Sequence, residues 1–222
     1  MEADEIFTGS KWAILKELAK GRKSASEVAR KTGQSTANTT VQLKLLEAHG
    51  YVKKSRQDTE ARRKTGKPKT PYELSQEVAL TGALRPGLAY KKTSRMRDLG
   101  DFQKYLLNTA CLADEDVQYA LVKYALDSNM IKKADLICLV SQEGRETELF
   151  IVTESHLEEV RSKHSNASVE VPGGKTKKVI SWSHNKKEVE EGLERGDSYF
   201  QNMVRNSSEL LDKKGLLSEW KK

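Results

Sequence analysis

Cysteine is nearly absent from this chain of 222 residues: Cys111 and Cys138 are the only two, and neither belongs to a Cys-x-x-Cys pair. That excludes a disulfide scaffold and a zinc ribbon. Both lie in apolar stretches and are expected to be buried, inert thiols. No window of about eighteen apolar residues exists, so no transmembrane helix is expected. The opening residues, Met1 to Trp12, are acidic and lack the apolar run of a secretory leader. The four histidines, His49, His156, His164 and His184, show no metal-ligand spacing. Gly173-Gly174-Lys175-Thr176 ends like a phosphate-binding loop, but Val169 stands where the first glycine is needed. The sequence reads as a soluble, cytoplasmic chain with no metal and no cofactor. Its length suits one large domain or two small ones of roughly 100–150 residues.

What is present is positive charge, unevenly placed. The formal net charge is +7. Residues 1–75 hold 16 Lys+Arg against 9 Asp+Glu, and residues 76–222 hold 23 of each. Such asymmetry points to one module that meets a polyanion and a second with another task.

The first third has helical periodicity. Trp12, Leu15, Leu18 and Ala19 recur at three- and four-residue steps, predicting a helix with Ser10 as N-cap and Gly21 past its end. A second helix is predicted from about Ala25 to Lys31, with Ser24 as N-cap, Gly33 as its stop, and Val28 and Ala29 buried. A third runs from near Ser35 to about His49. Its inner face is Thr39, Leu43 and Leu46, with Leu45 alongside and Gly50 as a left-handed stop. Two helices joined by a short glycine-containing turn make a helix-turn-helix. Tyr51–Arg56 then reads as a strand and Thr70–Ser75 as its return partner. From Lys53 to Lys69 there are eight Lys+Arg against Asp58 and Glu60, so the hairpin has a cationic tip, a wing.

The return segment Gly66-Lys67-Pro68-Lys69-Thr70-Pro71-Tyr72-Glu73-Leu74-Ser75 resembles the end of the wing in ArsR- and MarR-like winged-helix regulators. Leu43-Lys44-Leu45-Leu46-Glu47-Ala48-His49-Gly50-Tyr51-Val52 resembles their recognition-helix exit and first wing strand. The resemblance spans roughly residues 8–78 and implies a prokaryotic regulator that binds double-stranded DNA. A groove is read by side chains near the start of the recognition helix. On a wheel centred on Thr39, the outward positions are Ala37, Thr40, Val41 and Lys44, with Gln34, Ser35 and Thr36 at the entry. Many relatives in that family carry arginine near the place of Val41, and its absence here argues against strong guanine readout. Thymine-methyl contacts and shape are expected instead, with Lys44 on phosphate. Arg56, Arg62, Arg63, Lys64, Lys67 and Lys69 are expected on the backbone or in the adjacent minor groove. One winged helix covers only a half-site, so a homodimer on a pseudo-palindromic site is expected.

Residues 79–98 are weakly periodic, carry Gly82, Pro86 and Gly87, and read as a linker with a basic run from Lys91 to Arg97. From Leu99 the pattern turns helical, with one stripe at Phe102, Leu106, Thr109 and Ala110 and another at Val117, Leu121, Tyr124 and Ala125. These paired helices serve either a dimer interface or the chain's own core. Beyond them, apolar strands near 135–140, 147–153, 168–171 and 178–182 alternate with a helix through Leu157 and Val160. The stretch from Asn185 to about Lys213 reads as mostly helical, broken at Gly192 and Gly196.

The order of this second module is similar to minimal nucleotidyltransferase domains over about residues 135–217. Glu146 and Glu148 take the places of their paired aspartates, and Asp197 through Leu211 matches their terminal helix. Val140-Ser141 replaces their Gly-Ser turn, and Ser181 and Ser183 stand where a third carboxylate is needed, so the resemblance is to a degenerate, non-catalytic form. The expected fold is α+β: an N-terminal winged helix-turn-helix domain over 1–78, a linker over 79–98, and over 99–222 a helical connector with a small α/β domain that dimerises or senses an unknown small-molecule or protein effector. The expected function is a nucleoid-associated transcriptional regulator, not an enzyme and with no membrane partner. The alternatives are a nucleotidyltransferase with a nucleic-acid-binding head and a plasmid or viral replication or partition protein.

Overall fold

The computed structural model describes residues 9–55 and 70–221. The chain is α+β and divides into two compact units, Met1–Asp98 and Leu99–Lys222. Counted at that boundary, the first unit holds 21 Lys+Arg against 11 Asp+Glu, a net of +10, and the second holds 18 against 21, a net of −3. The charge asymmetry is therefore steeper at the structural boundary than at Ser75.

In the first unit, α1 (Gly9–Ala19) buries Ile14, Leu15 and Leu18. The buried stripe is rotated from the expected one: Trp12 is 43% exposed and Ala19 is exposed. Three aliphatic side chains at i, i+1 and i+4 make a denser face, and Trp12 and Ala19 flank it. Ser10 lies within α1 and is not its cap. α2 (Ala25–Thr32) opens with a reciprocal capping box. Ser24 Oγ accepts from the Glu27 N–H, and the Glu27 carboxylate accepts from the Ser24 N–H at 2.8 Å. Gly33, at φ +68°, ends it in the left-handed region that glycine adopts without strain. Ser35 caps α3 (Thr36–Ala48), whose buried residues are Thr39, Leu43 and Leu46. Strands β1 (Lys23–Ser24), β2 (Val52–Lys54) and β3 (Pro71–Leu74) form a sheet in the order β1-β3-β2. Two residues carry no alternation, which is why β1 has no sequence signature. Ile14, Leu18, Val28, Leu43, Leu46, Val52 and Tyr72 meet in the core of this unit.

The expected linker carries regular structure. β4 (Val78–Arg85) and β5 (Leu88–Arg95) pair antiparallel around Pro86-Gly87, and a 3-10 turn, Met96–Asp98, follows. Most of the ribbon is exposed on both faces, so it shows none of the apolar-in, polar-out alternation by which a strand is recognised.

The second unit is a five-stranded sheet sandwiched between helices. Helices α4 (Asp101–Leu112), α5 (Glu115–Asp127) and α6 (Met130–Lys133) lead into β6 (Leu136–Glu143) and β7 (Glu146–Val152). Then come α7 (Leu157–Lys163), β8 (Asn166–Glu170), β9 (Thr176–His184), α8 (Lys186–Glu194), α9 (Ser198–Asn206), β10 (Ser208–Asp212) and α10 (Leu216–Trp220). The strand order is β10-β6-β7-β9-β8, and only β7 and β9 run parallel. On one face Tyr105, Val117, Leu121 and Tyr124 pack against Ile137, Leu149, Ile151 and Val179. The Tyr105 hydroxyl donates to Leu121 O at 3.0 Å and that of Tyr124 to His164 O at 2.8 Å, so both buried phenols are satisfied. The stripe at Val117, Leu121, Tyr124 and Ala125 thus faces the sheet of its own chain, while on α4 the buried residues are Tyr105 and Thr109 and Phe102 is exposed. On the other face Leu136, Cys138, Phe150 and Val152 meet Val189, Phe200, Val204 and Leu217.

Two further expectations need correction. The helical stretch from Asn185 stops at Asn206, and Ser208–Asp212 is a strand on the edge of β6. The pair Leu210-Leu211 is too short for its periodicity to decide, and the open edge of β6 does decide it. The match of residues 197–211 to one terminal helix fails with it. Secondly, Cys111 is exposed while Cys138 is buried, its thiol pushed up to about 12 by burial. A thiol reagent at mildly alkaline pH is therefore expected to modify Cys111 alone in the native chain and Cys138 only after unfolding, as peptide mapping checks.

Candidate nucleic-acid interface

Leu43, Leu46 and Thr39 anchor α3 to the core, and the opposite side of the helix is open. Ser35, Thr36, Ala37, Val41 and Lys44 are exposed, Val41 at 55%, and Thr40 and Gln34 are half-buried. None of these residues is acidic. The hydroxyl of Thr40 donates to Thr36 O at 2.7 Å and is thereby engaged within the helix. Ser35 Oγ is engaged as the cap, accepting from the Asn38 N–H at 3.2 Å. Gln34 reaches back: its Nε2 donates to Ser10 O at 3.3 Å, tying the start of α3 to α1.

Asn38 is a further exposed residue on α3 that the wheel does not single out. It sits in a ladder of amides at four-residue steps: Asn38 Nδ2 donates to Gln34 Oε1 at 3.1 Å, and Gln42 Nε2 donates to Asn38 Oδ1 at 3.4 Å. An exposed asparagine at the start of such a helix has the donor and acceptor that adenine presents in reverse. The i, i+4 spacing of Gln34, Asn38 and Gln42 was the available signal.

The lysines differ in their surroundings. Lys53 pairs with Glu73 at 3.4 Å and Lys54 with Glu47 at 3.3 Å. Exposed pairs of this kind contribute little stability, but they counter both cations of β2. Lys44 pairs with no described side chain. The register Val52↔Leu74, Lys53↔Glu73, Lys54↔Tyr72 joins the two strands that flank the wing. Arg56, Arg62, Arg63, Lys64, Lys67 and Lys69 lie outside the described residues.

The second unit offers two polar clusters. Glu146 and Glu148 share a strand face, but Glu146 is paired with Lys178 at 3.1 Å. Among the described residues no group of three His, Cys, Asp or Glu could hold a metal ion. At the carboxyl end of β9, His184 lies between Glu188 (Nδ1 to Oε2, 3.3 Å) and the Tyr199 hydroxyl (Nε2 to OH, 3.0 Å). Arg161 Nη2 donates to Glu188 at 2.7 Å. Ser183 projects to the other face of the strand, away from this histidine.

Burial holds the imidazole of His184 below its ordinary value, and that of His164 likewise, with Lys133 adding to the effect at the latter. Depressed histidines take up protons in the unfolded chain before the folded one. Their contribution is complete above the ordinary histidine pKa of about 6.5 and is lost as pH falls toward the folded values. The urea midpoint of the second unit is expected to drop between neutral and mildly acidic pH, with a shallower drop in His184→Gln/His164→Gln.

No helix among the described residues is long and apolar enough to cross a membrane. No curated protein matches the chain. Residues 7–63 match the model of the MarR family, a segment that holds α1, α2, α3 and β2, and the N-terminal unit is accordingly a MarR-like winged helix-turn-helix.

Proposed function

We propose that the chain is a sequence-specific, double-stranded DNA-binding transcriptional regulator that acts as a homodimer. α3 enters the major groove, with the Thr40 methyl, Ala37 and Val41 toward base edges and Lys44 on phosphate. The basic wing, Arg56, Arg62, Arg63, Lys64, Lys67 and Lys69, follows the backbone or the neighbouring minor groove. The second unit dimerises or senses an effector. The observation that carries this reading is the open side of α3, exposed and free of carboxylates, on a MarR-like scaffold.

Selection of bound fragments from random duplex DNA tests it. Enrichment of an inverted repeat is expected, with half-sites about 10 base pairs or a multiple apart, centre to centre, for a two-fold dimer. Recovery of an unenriched pool would remove sequence specificity from the reading, and a single unrepeated site would remove the dimer.

A further inference from the structure

The β4–β5 ribbon is part of neither the winged-helix core nor the second unit. A lone two-stranded ribbon is marginal in water and calls for a partner surface. Its root is fixed beside the end of α3: only Ser75 to Glu77 separate it from β3, the Ser75 N–H donates to Tyr51 O at 3.0 Å, and the Ser75 hydroxyl donates to Gly50 O. Each strand has eight residues, a reach of about 26 Å. Between Val78 and Arg97 there are five cations and no carboxylate.

The distribution of those cations selects the partner. The register places Val78, Leu80, Gly82 and Leu84 on one face with Arg95, Thr93, Lys91 and Ala89, and Ala79, Thr81, Ala83 and Arg85 on the other with Ser94, Lys92, Tyr90 and Leu88. Each face therefore carries two cations among small or apolar residues. A ribbon made to pair with a second protein surface would gather its apolar side chains on one face and its charges on the other. A ribbon that lies in a groove meets phosphates on both sides and base or sugar edges between them. Duplex grooves admit such a ribbon, and its small residues let its backbone approach closely. Leu84, 88% exposed beside Arg85-Pro86 at the tip, and Tyr90, 50% exposed, supply apolar contacts of the kind groove-binding arms use. The side chains of Arg85, Lys92 and Arg95 are exposed and pair with no other described side chain.

We propose that the β4–β5 ribbon is a second DNA-contacting arm, which extends the footprint of α3 along the duplex by the ribbon's own length. The inference rests on the DNA-binding reading above. The reach corresponds to about 8 base pairs at ~3.4 Å each.

The test uses the full chain and a mixed-sequence duplex of about 40 base pairs, with affinity measured against salt and contacts read by hydroxyl-radical protection. Replacing Arg85, Lys92 and Arg95 together by alanine is expected to make the log–log salt slope shallower by about 3 per bound chain and to shorten the protected tract by about 8 base pairs. An unchanged slope and tract overturn the arm. So does an unchanged slope per chain accompanied by loss of a dimer in Leu84→Ser/Tyr90→Ser, which assigns the ribbon to a second copy. Val41→Glu, on α3, separates the two proposals. If it abolishes binding while the ribbon variant binds as wild type, the α3 reading stands and the arm falls. If only the ribbon variant loses binding, the arm stands and α3 does not read the groove. A wild-type chain that retains no duplex overturns both.

Discussion

Glutamate in place of Val41 is expected to abolish retention of duplex DNA while leaving the fold intact. Val41 is 55% exposed, on the side of α3 away from Leu43 and Leu46. A surface substitution of this kind shifts stability by about 0.5 kcal/mol or less, and glutamate suits a helix at least as well as valine. In the groove the balance is different. A carboxylate carried between two rows of phosphates meets like charge in a partly dehydrated site, which costs several kcal/mol. About 3 kcal/mol is already more than a 100-fold loss of affinity. Val41→Gln has similar length without charge and is expected to lose far less, since it forfeits one apolar contact. The pair of variants thus separates electrostatics from shape. Gel retardation gives the affinities and a thermal melt gives the fold. Wild-type affinity in Val41→Glu would place α3 outside any groove. Thr40→Ala, by contrast, should leave overall affinity nearly unchanged: the hydroxyl it removes already bonds Thr36 O, and the loss is confined to a methyl, felt at one or two base pairs.

The parts of this interface that the sequence made legible are those governed by local chemistry. Ser24 caps its helix because a hydroxyl before a helix has orphan N–H groups to satisfy, and Gly33 stops that helix because a left-handed residue is needed there. Thr39, Leu43 and Leu46 were readable because a 3.6-residue period leaves one face to bury. What stayed hidden depended on partners remote in sequence. A wheel does not single out Asn38, because it ranks residues by angle from the core and says nothing of amides at i and i+4. The β4–β5 ribbon has no sequence signature because most of it is exposed on both faces, which leaves no alternation to detect. β10 looks helical in sequence because its two leucines acquire a strand conformation only from the edge of β6.

Gly192 shows the same dependence on packing, in a form that reverses an ordinary expectation. It lies in the last turn of α8, and replacing a helical glycine by alanine normally stabilises by about 0.5–1 kcal/mol. Here an added Cβ would sit 2.1 Å from Phe200 Cδ2, 2.6 Å from Cε2 and 2.9 Å from Cγ. The ring is not free to slide away. It stands edge-on to His184 and to Tyr199, with centroids 5.0 Å from each, and His184 is itself held by Glu188 and the Tyr199 hydroxyl. Moving the ring would disturb that cluster, and holding it would force the helices apart. Overpacking of this sort costs about 1–3 kcal/mol or more, enough to outweigh the helix-propensity gain. Gly192→Ala is therefore expected to destabilise the second unit by about 2–3 kcal/mol, a fall in melting temperature of about 10 °C for a domain of this size. Phe200→Leu alone should also destabilise, by removing ring contacts. The double variant should be less unstable than the two single effects added together by at least about 1 kcal/mol, because the smaller side chain makes room for the new methyl. A calorimetric melt of the four proteins measures that coupling. A rise in melting temperature on Gly192→Ala, or strict additivity in the cycle, would show that α8 and α9 do not meet through Gly192 and Phe200.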